Sequence, residues 1–570
     1  KREGQGDYST NAAMLLAPVL GAPPREIAQR LAVELHTTLG DWLARTEVAG
    51  PGFLNLVLSD GWHRAALATM LGAGDRFGAG GARDAGAGET SGPTGAGGGA
   101  ERILVEFVSA NPTGPLVAAS GRHAAYGDAL ARILEHHGHT VAREYYFNDA
   151  GNQIRLLGES VRARARDEPV PEGGYQGEYV AELARELGPA VEGGVEAGGG
   201  PDAADDLEEL TARAVELLLG RIKATLTRYG VQFDSFFSEQ TLHAGSPSRL
   251  DLALAALSRA GHLYKSEGAV WLRTTSFGDA KDRVVVRSSG EPTYLAADLA
   301  YMLDKRARGF GRQLNPMGSD HHAYVRELKA AMAALGGDPD TIEVPILQFV
   351  HLVEGGKVFA MSKRRGDFVT LDELLDEIGV DAARFFMLQR SHDRTLELDL
   401  ELARQQSAEN PVYYVQYAHA RIASMLGRFS DGRVAAALEP GGGSGGSEGS
   451  LGASGGDGSG DSEGLFGGDG AGALAGWGEA ELHVSERDLI KKLAAFPGEI
   501  AEAAGRRAPH RIAVYALELA QCFTAFYRDC RVVGACPEAV ESFRIALSVA
   551  AGRTIALALR LLGVSAPESM

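Results

Sequence analysis

At 570 residues the chain has room for about three or four domains, and a hydrophobic fraction of 45% suits a globular protein with a sizeable core. A net charge of −19 argues against indiscriminate attraction to polyanions, so a nucleic-acid partner has to be met by a local basic face. Three cysteines (Cys522, Cys530, Cys536) are too few and irregular for a disulfide framework or zinc site, and neither a run of about 18 apolar residues nor a signal pattern is found, so a cytoplasmic protein without membrane association is expected.

In chain order, residues 1–70 hold a helical run, PPREIAQRLAVEL, and an alternating run, GFLNLVLS, which predict a small α+β domain. Residues 71–100 are rich in Gly and Ala and read as a linker. From 101 to 151 a buried strand (Ile103, Leu104, Val105, Phe107) meets a break at Asn111 to Pro115. A helix with Ala124, Ala125, Leu130, Ile133 and Leu134 at its spacing follows, then a strand from Val141 to Phe147. That is a βαβ unit of a parallel sheet. Its loop lies at the carboxyl edge, and the next helix aims free N–H groups and its positive dipole end at an anionic ligand such as a nucleotide's phosphates. Many α/β proteins that bind no nucleotide share this pattern.

A helical insertion at about 155–265 comes next, and sheet pattern resumes with AVWLRTTSFGDAKDRVVV as the second half of the nucleotide fold. QLNPMGSDHHAYVRELKAAM repeats the strand, turn and helix. Adjacent His321 and His322 point apart at a helix start and lack a third ligand beyond Asp320, so no metal site is expected. GGKVFAMSKRRGDF is a glycine-hinged basic loop suited to a triphosphate, or a solvated surface, and Thr370 with Glu373 forms a capping box for the helix behind it. Residues 401–570 are helical apart from a Gly/Ser-rich insert at about 439–475, and form one bundle. Of its aromatics, Tyr413, Tyr414, Tyr417, Phe526 and Tyr527, most are expected in the core, with one or two stacking on unpaired bases.

SANPTGPL, SGRHAAYGDAL and EYYFNDAGNQI together resemble the first signature of class I aminoacyl-tRNA synthetases, specifically the arginyl-tRNA synthetases. GSDHH, the AMSK run and the bundle segments resemble the same family, from GDYSTNAA to SAPESM. The resemblance implies a Rossmann-type parallel-sheet catalytic domain at 101–400, an all-α anticodon-binding domain, and an N-terminal domain contacting tRNA, with some residues preceding Lys1. It further implies a monomer that joins L-arginine to tRNA(Arg) through arginyl-adenylate, with ATP and Mg²⁺ as the substrate complex and no tightly bound cofactor. Carried over position by position, Glu106, Tyr294 and Asp298 match residues that hold the arginine side chain, and Asn111 the one that holds its α-amino group. Pro112, Thr113, Gly114, Pro115, Gly121, Gly318, Asp320, His321 and Met361 match the ATP site; Ser362 and Lys363 belong to the second signature; Tyr413, Tyr417, Phe526 and Tyr527 match the tRNA-binding bundle. Taken without the resemblance, Asp298 reads as a helix-capping or surface residue.

One departure matters. The family's HIGH tetrapeptide falls on Val117, Ala118, Ala119 and Ser120, so both imidazoles are missing. A lost preorganised donor costs about 3 kcal/mol of barrier. Ser120, and His123 one turn later, are the candidate replacements. Ala360 also replaces the first Lys of KMSK, with Lys357 nearby. A catalytically silent paralogue that binds tRNA or arginine would account for the lost pair. A ligase acting on a small amine would not need the bundle.

Overall fold

The computed structural model describes residues 6–81, 99–192, 202–358, 369–439 and 475–570; most of the Gly-rich linker and of the Gly/Ser-rich insert, and Met361, Ser362 and Lys363, lie outside these. At the N-terminus β1 (Tyr8–Thr10), α1 (Ala12–Leu20), α2 (Pro24–Leu39), β2 (Leu43–Ala49) and β3 (Phe53–Leu58) build an antiparallel sheet of order β1-β3-β2 under two helices. Its own core is small, with Ala13, Ile27 and Ala28 buried. α3 (Asp60–Ala73), capped by the Ser59 hydroxyl, instead sends Ala66, Leu67 and Met70 into the core it shares with the C-terminal bundle. Ion pairs Asp60–Arg487 and Asp7–Lys491, each at 2.7 Å, tie the same faces together.

The central unit follows as β4 (Arg102–Glu106), α4 (Ser120–His137), β5 (Thr140–Phe147), the insertion helices α5 (Asn152–Ala165), α6 (Glu178–Glu192) and α7 (Asp202–Arg228), then β6 (Ser235–Ser238). β6 rejoins the sheet well inside the stretch read as insertion. Ile103, Leu104 and Val105 of β4 are wholly buried, as a strand covered on both faces requires. α4 crosses that strand so closely that a Cβ on Gly127 would stand 2.2 Å from Phe107 Cγ.

The run expected to continue this sheet does not. After α8 (Arg249–Arg259), strands β7 (Leu263–Ser266), β8 (Ala269–Leu272) and β9 (Arg283–Val286) form a separate antiparallel sheet. Glu267 and Gly268 both take positive φ, 51° and 77°, between Ser266 and Ala269. A two-residue turn of that kind folds β8 back on β7, and a hairpin cannot supply neighbouring strands of a parallel sheet.

α9 (Tyr294–Ala307) then leads to β10 (Arg312–Leu314), where the main sheet resumes, followed by β11 (Met317–Gly318), α10 (Tyr324–Ala334) and β12 (Ile342–Glu343). The order is β12-β10-β4-β5-β6, every neighbour parallel. The chain leaves β4 in both directions, so the crevice between the loops after β4 and β10 is the switch point where α/β sheets bind ligands.

Beyond it lie β13 (Ile346–Leu347), β14 (Val350–Glu354), β15 (Lys357–Val358), α11 (Leu371–Ile378) with its capping box, α12 (Val380–Leu388) and β16 (Leu396–Asp399), which pairs with β14. The bundle comprises α13 (Pro411–Leu426), α14 (Val484–Ala494), α15 (Phe496–Gly505), α16 (His510–Asp529) and α17 (Glu538–Leu562). Contrary to the sequence reading, α17 is long and apolar enough to cross a membrane, with mean hydropathy 1.7, but 83% of that window is buried within the protein. It is the bundle's core helix. Wholly buried Arg384 binds Asp128 of α4 and donates to the Leu562 and Tyr229 carbonyls at 2.9 and 3.0 Å, fastening bundle to sheet.

Candidate active site

Chemistry-bearing side chains gather where the strands end. Just past β4 the backbone turns sharply: the Ser109 N–H bonds back to the Phe107 carbonyl at 2.9 Å, with Val108 and Ser109 at φ 66° and 43°. A left-handed valine costs about 1–3 kcal/mol and is retained only where surroundings enforce it. Here the turn lets the Ser109 hydroxyl donate to Glu106 Oε1 and accept from the Tyr146 N–H, both at 3.2 Å. Glu106 Oε2 takes the Lys305 ammonium at 2.6 Å and the Asn315 amide at 2.7 Å.

Beside Glu106 stand Asp298 of α9 and Glu239, the residue after β6. Tyr324 donates to Asp298, and Tyr146 donates to Glu239 at 2.8 Å. Burial pushes the Asp298 carboxyl up to about 7, and the charges of Glu106 and Glu239 add to the rise while Tyr324 and Lys305 oppose it. Three carboxylates against one ammonium leave room for another cation. Tyr294, one turn before Asp298 on α9, is 72% exposed at the mouth. Glu239, Lys305 and Asn315 escaped the sequence reading; the only signal was position, since each borders a carboxyl end of the sheet or faces one.

Asn111 donates to Gln153 at 3.0 Å and accepts from the Asn148 N–H at 3.2 Å, linking the loops after β4 and β5. Pro112, Thr113 and Gly114 are buried, and the Thr113 carbonyl accepts from Tyr179 of α6 at 2.8 Å. They shape the loop, while Pro115 is partly open. The expectation of free N–H groups at the start of α4 is corrected. The N–H groups of Ser120, Gly121 and Arg122 bond the carbonyls of Val117, Ala118 and Ala119 at 2.8, 3.0 and 3.1 Å, a tight lead-in turn that uses up the helix's first donors. What remains for an anion there is the dipole and side chains.

Ala118 donates to the Val369 carbonyl at 2.9 Å and Leu371 to the Leu116 carbonyl at 2.8 Å, so the exit of the basic loop is stitched to the first signature. Buried Arg122 donates to the Gln348 and Ser391 carbonyls at 2.8 and 2.9 Å, fixing the approach to β14 and thus the loop's entry. A Cβ on Gly121 would stand 2.9 Å from Leu371 Cδ1, so this approach too needs glycine. His123 lies between α4 and the loop after β10, bonded to the Pro316 carbonyl. Burial, and then the Arg122 charge, push it down to about 4, so it is neutral. A neutral ring whose N–H is given to Pro316 has only an acceptor left. Gly318, Asp320 and His321 sit across from it, with Asp320 and His321 exposed and 3.4 Å apart.

In the bundle, Tyr413 and Tyr417 stack at 6.1 Å, and Arg421 lies 4.7 Å from the Tyr417 ring and 5.4 Å from Tyr527. Cavities of about 320 and 340 Å³ flank this ridge; Met570 is among the residues lining the second. Phe526 has no exposed surface and packs on Phe523, so the expected stacking face there is corrected to core.

Comparison with known proteins gives the family. Family descriptions match in order: the arginyl-tRNA synthetase N-terminal domain at 1–58, the class I (R) tRNA synthetase catalytic domain at 203–426, and the DALR anticodon binding domain at 472–570. An arginine–tRNA ligase of Bacillus licheniformis is 39% identical over all of this chain and 93% of its own length; one from Frankia alni is 42% identical over 100% and 94%. The chain belongs to the arginyl-tRNA synthetase family. A Campylobacter jejuni structure solved as an arginyl-tRNA synthetase superposes with TM-score 0.72 at 30% identity, covering 90% of this chain and all of that one. The synthetase is accordingly a class I aminoacyl-tRNA ligase acting in arginine aminoacylation, with ATP, arginine and tRNA as substrates.

Proposed function

We propose that the acidic end of the crevice holds arginine and that its other end, with the basic loop, holds ATP. Asp298 and Glu239 pair with the guanidinium, whose planar donors suit two carboxylates already oriented by tyrosine hydroxyls. Glu106, held by Lys305 and Asn315, adds negative potential, Tyr294 closes over the side chain, and Asn111 receives the α-amino group. Pro115, Gly121, Gly318, Asp320, His321 and Met361 border the nucleotide, and Mg²⁺ arrives with ATP, held by phosphate and water rather than a protein cage. The arginine carboxylate oxygen attacks the α-phosphorus in line, the bond to pyrophosphate breaks, and arginyl-adenylate forms. The terminal ribose hydroxyl of the tRNA then attacks the carbonyl carbon and AMP leaves. No side-chain nucleophile is required; Lys363, Ser362 and Ser120 neutralise charge as pyrophosphate departs.

Tyr413, Tyr417 and Tyr527 receive anticodon bases in the bundle, and residues 1–70 touch the body of the tRNA. The synthetase works as a cytoplasmic monomer. The observation that carries the reading is the pocket of three carboxylates at the carboxyl edge of the sheet, where burial, with the charges of Glu106 and Glu239 adding to it, holds the Asp298 carboxyl up to about 7. Arginine-dependent ATP–pyrophosphate exchange, with and without tRNA, tests it: exchange with arginine and none with lysine is expected. Absence of exchange with tRNA still bound would instead assign the lost histidines to a silent binder.

A further inference from the structure

One stripe of α9 runs the length of the acidic pocket. Tyr294, Asp298, Tyr301 and Lys305 recur at helical spacing and share a face, from the exposed tyrosine at the mouth to a buried lysine two turns beyond Asp298. Side chains on a helix lean toward its N-terminus, which brings a long lysine back under the carboxylates. The Lys305 ammonium lies 2.6 Å from Glu106 Oε2 and 4.0 Å from the centre of the Tyr301 ring. A lysine is fully buried only where its charge is met, and these two partners meet it.

That ring is itself fixed. The Tyr301 hydroxyl donates to Glu144 Oε1 at 2.5 Å, and Arg308, the residue after α9, clasps both Glu144 oxygens at 2.7 Å. Glu106 is held wholly by the protein, since Oε2 also takes the Asn315 amide and Oε1 the Ser109 hydroxyl. Asp298 and Glu239 differ. Each is oriented by a tyrosine hydroxyl, Glu239 has the His243 ring at 3.9 Å, and among the described residues neither is ion-paired to a lysine or arginine.

We propose that Lys305 is a positioning residue that apportions the three carboxylates, committing Glu106 to the protein and leaving Asp298 and Glu239 to the guanidinium of arginine. It acts through Glu106 and touches no substrate atom. The inference rests on the reading that places arginine in this pocket. Three carboxylates with no internal cation would exceed the charge of one guanidinium, and like charges this close resist ionising together. The groups facing Asp298 fit that account: burial raises its carboxyl, Glu106 of β4 and Glu239 beyond β6 add to the rise, and Tyr324 of α10 and Lys305 oppose it. Outside them, Arg283 of β9 pairs with Glu327 of α10 at 2.8 Å, and the charges of both bear on Tyr324.

The test compares Lys305→Met, Glu106→Gln and the pair in the full chain with tRNA transcript present. The readouts are kcat/KM for arginine in ATP–pyrophosphate exchange from pH 6 to 9, KM for ATP, and thermal melting. Lys305→Met should move the acid limb up by about one pH unit, so that a loss of about tenfold at pH 7 largely recovers by pH 9, with KM for ATP changed less than about twofold. Glu106→Gln should move the limb down, and the pair should place it between the two. A loss of the same size at every pH, as a purely structural role gives, or limbs that move in the same direction, would overturn the proposal. Should Lys305→Met melt early, the pair, which removes both charges together, takes its place, with its limb expected above that of Glu106→Gln. Were arginine neither bound nor activated by the wild type, the arginine reading itself would fail. The titration of Asp298 in the free protein, followed as the carbon-13 carboxyl signal that Asp298→Asn removes, would still decide whether Lys305 sets the charge of the pocket.

Discussion

The two ends of the crevice are built on opposite plans. At the acidic end, proposed to hold arginine, every charged group is pinned by a second residue: Tyr324 on Asp298, Tyr146 on Glu239, Lys305 and Asn315 on Glu106. At the phosphate end the donors expected from the helix start are consumed by its own lead-in turn, the two signature histidines are absent, and His123 gives its N–H to Pro316. On the proposed reading, specificity resides in a rigid shell, while charge neutralisation falls to Lys363. An ion that must be discriminated needs fixed partners.

If that contrast is right, the largest loss comes from the rigid end. Asp298→Asn keeps shape and removes one charge facing the guanidinium. It should lower kcat/KM for arginine about 10³-fold, the cost of leaving a buried cation short of a partner, with ATP affinity nearly unchanged. Isothermal titration with arginine and with ATP checks the split; a comparable loss for both ligands would break the comparison. Lys363→Ala should act the other way, lowering kcat about 10²-fold with little change in arginine affinity, as measured by single-turnover adenylate formation.

Acidity separates the ends further. Burial holds the Asp298 carboxyl up to about 7, and only its ionised form pairs with a guanidinium. Below pH 7, kcat/KM for arginine should fall about tenfold per unit, and above it stay level. Bound arginine draws the same pKa down, so kcat at saturating arginine should break at a lower pH. Stability runs in the opposite sense. The folded pKa lies above the ordinary 3.8, so this carboxyl favours folding in acid, and that advantage is lost as pH rises through about 7. Matching breaks in kcat and kcat/KM would show that Asp298 does not face the substrate.

Legibility in the sequence followed the same division. The β4, α4 and β5 succession and the Thr370 capping box were readable because each rests on local periodicity or a local hydrogen bond. Glu239 was not, because its role depends on a four-residue strand, SFFS, adding to the sheet edge beside β5, which no local pattern announces. Phe526 and Tyr527 are neighbours about 100° apart on one helix, so only the packing of α16 decides which faces solvent. The Glu267-Gly268 turn was present in the sequence, and the alternating runs around it outweighed it; α17 shows that a core helix imitates a membrane span whenever the bundle surrounds it.

The smallest expected effect is the most informative about the missing histidines. Ser120 and His123, both on the first turn of α4, are the candidate replacements for the lost imidazoles, but they are not equivalent. Ser120 carries a hydroxyl whose proton turns toward whatever accepts it. His123 at neutral pH has one N–H, held by Pro316, and an acceptor nitrogen that a phosphate would repel. Ser120→Ala should therefore cost about tenfold in kcat for exchange at pH 8 and His123→Ala about twofold or less, the double variant matching Ser120→Ala. Toward pH 5 the ranking should narrow, because an ATP phosphate nearby raises the tendency of His123 to take a second proton and become a donor. An undiminished double variant at both pH values would remove both residues from the mechanism, leaving the dipole of α4 and Lys363 to carry what the imidazoles carry elsewhere in the family.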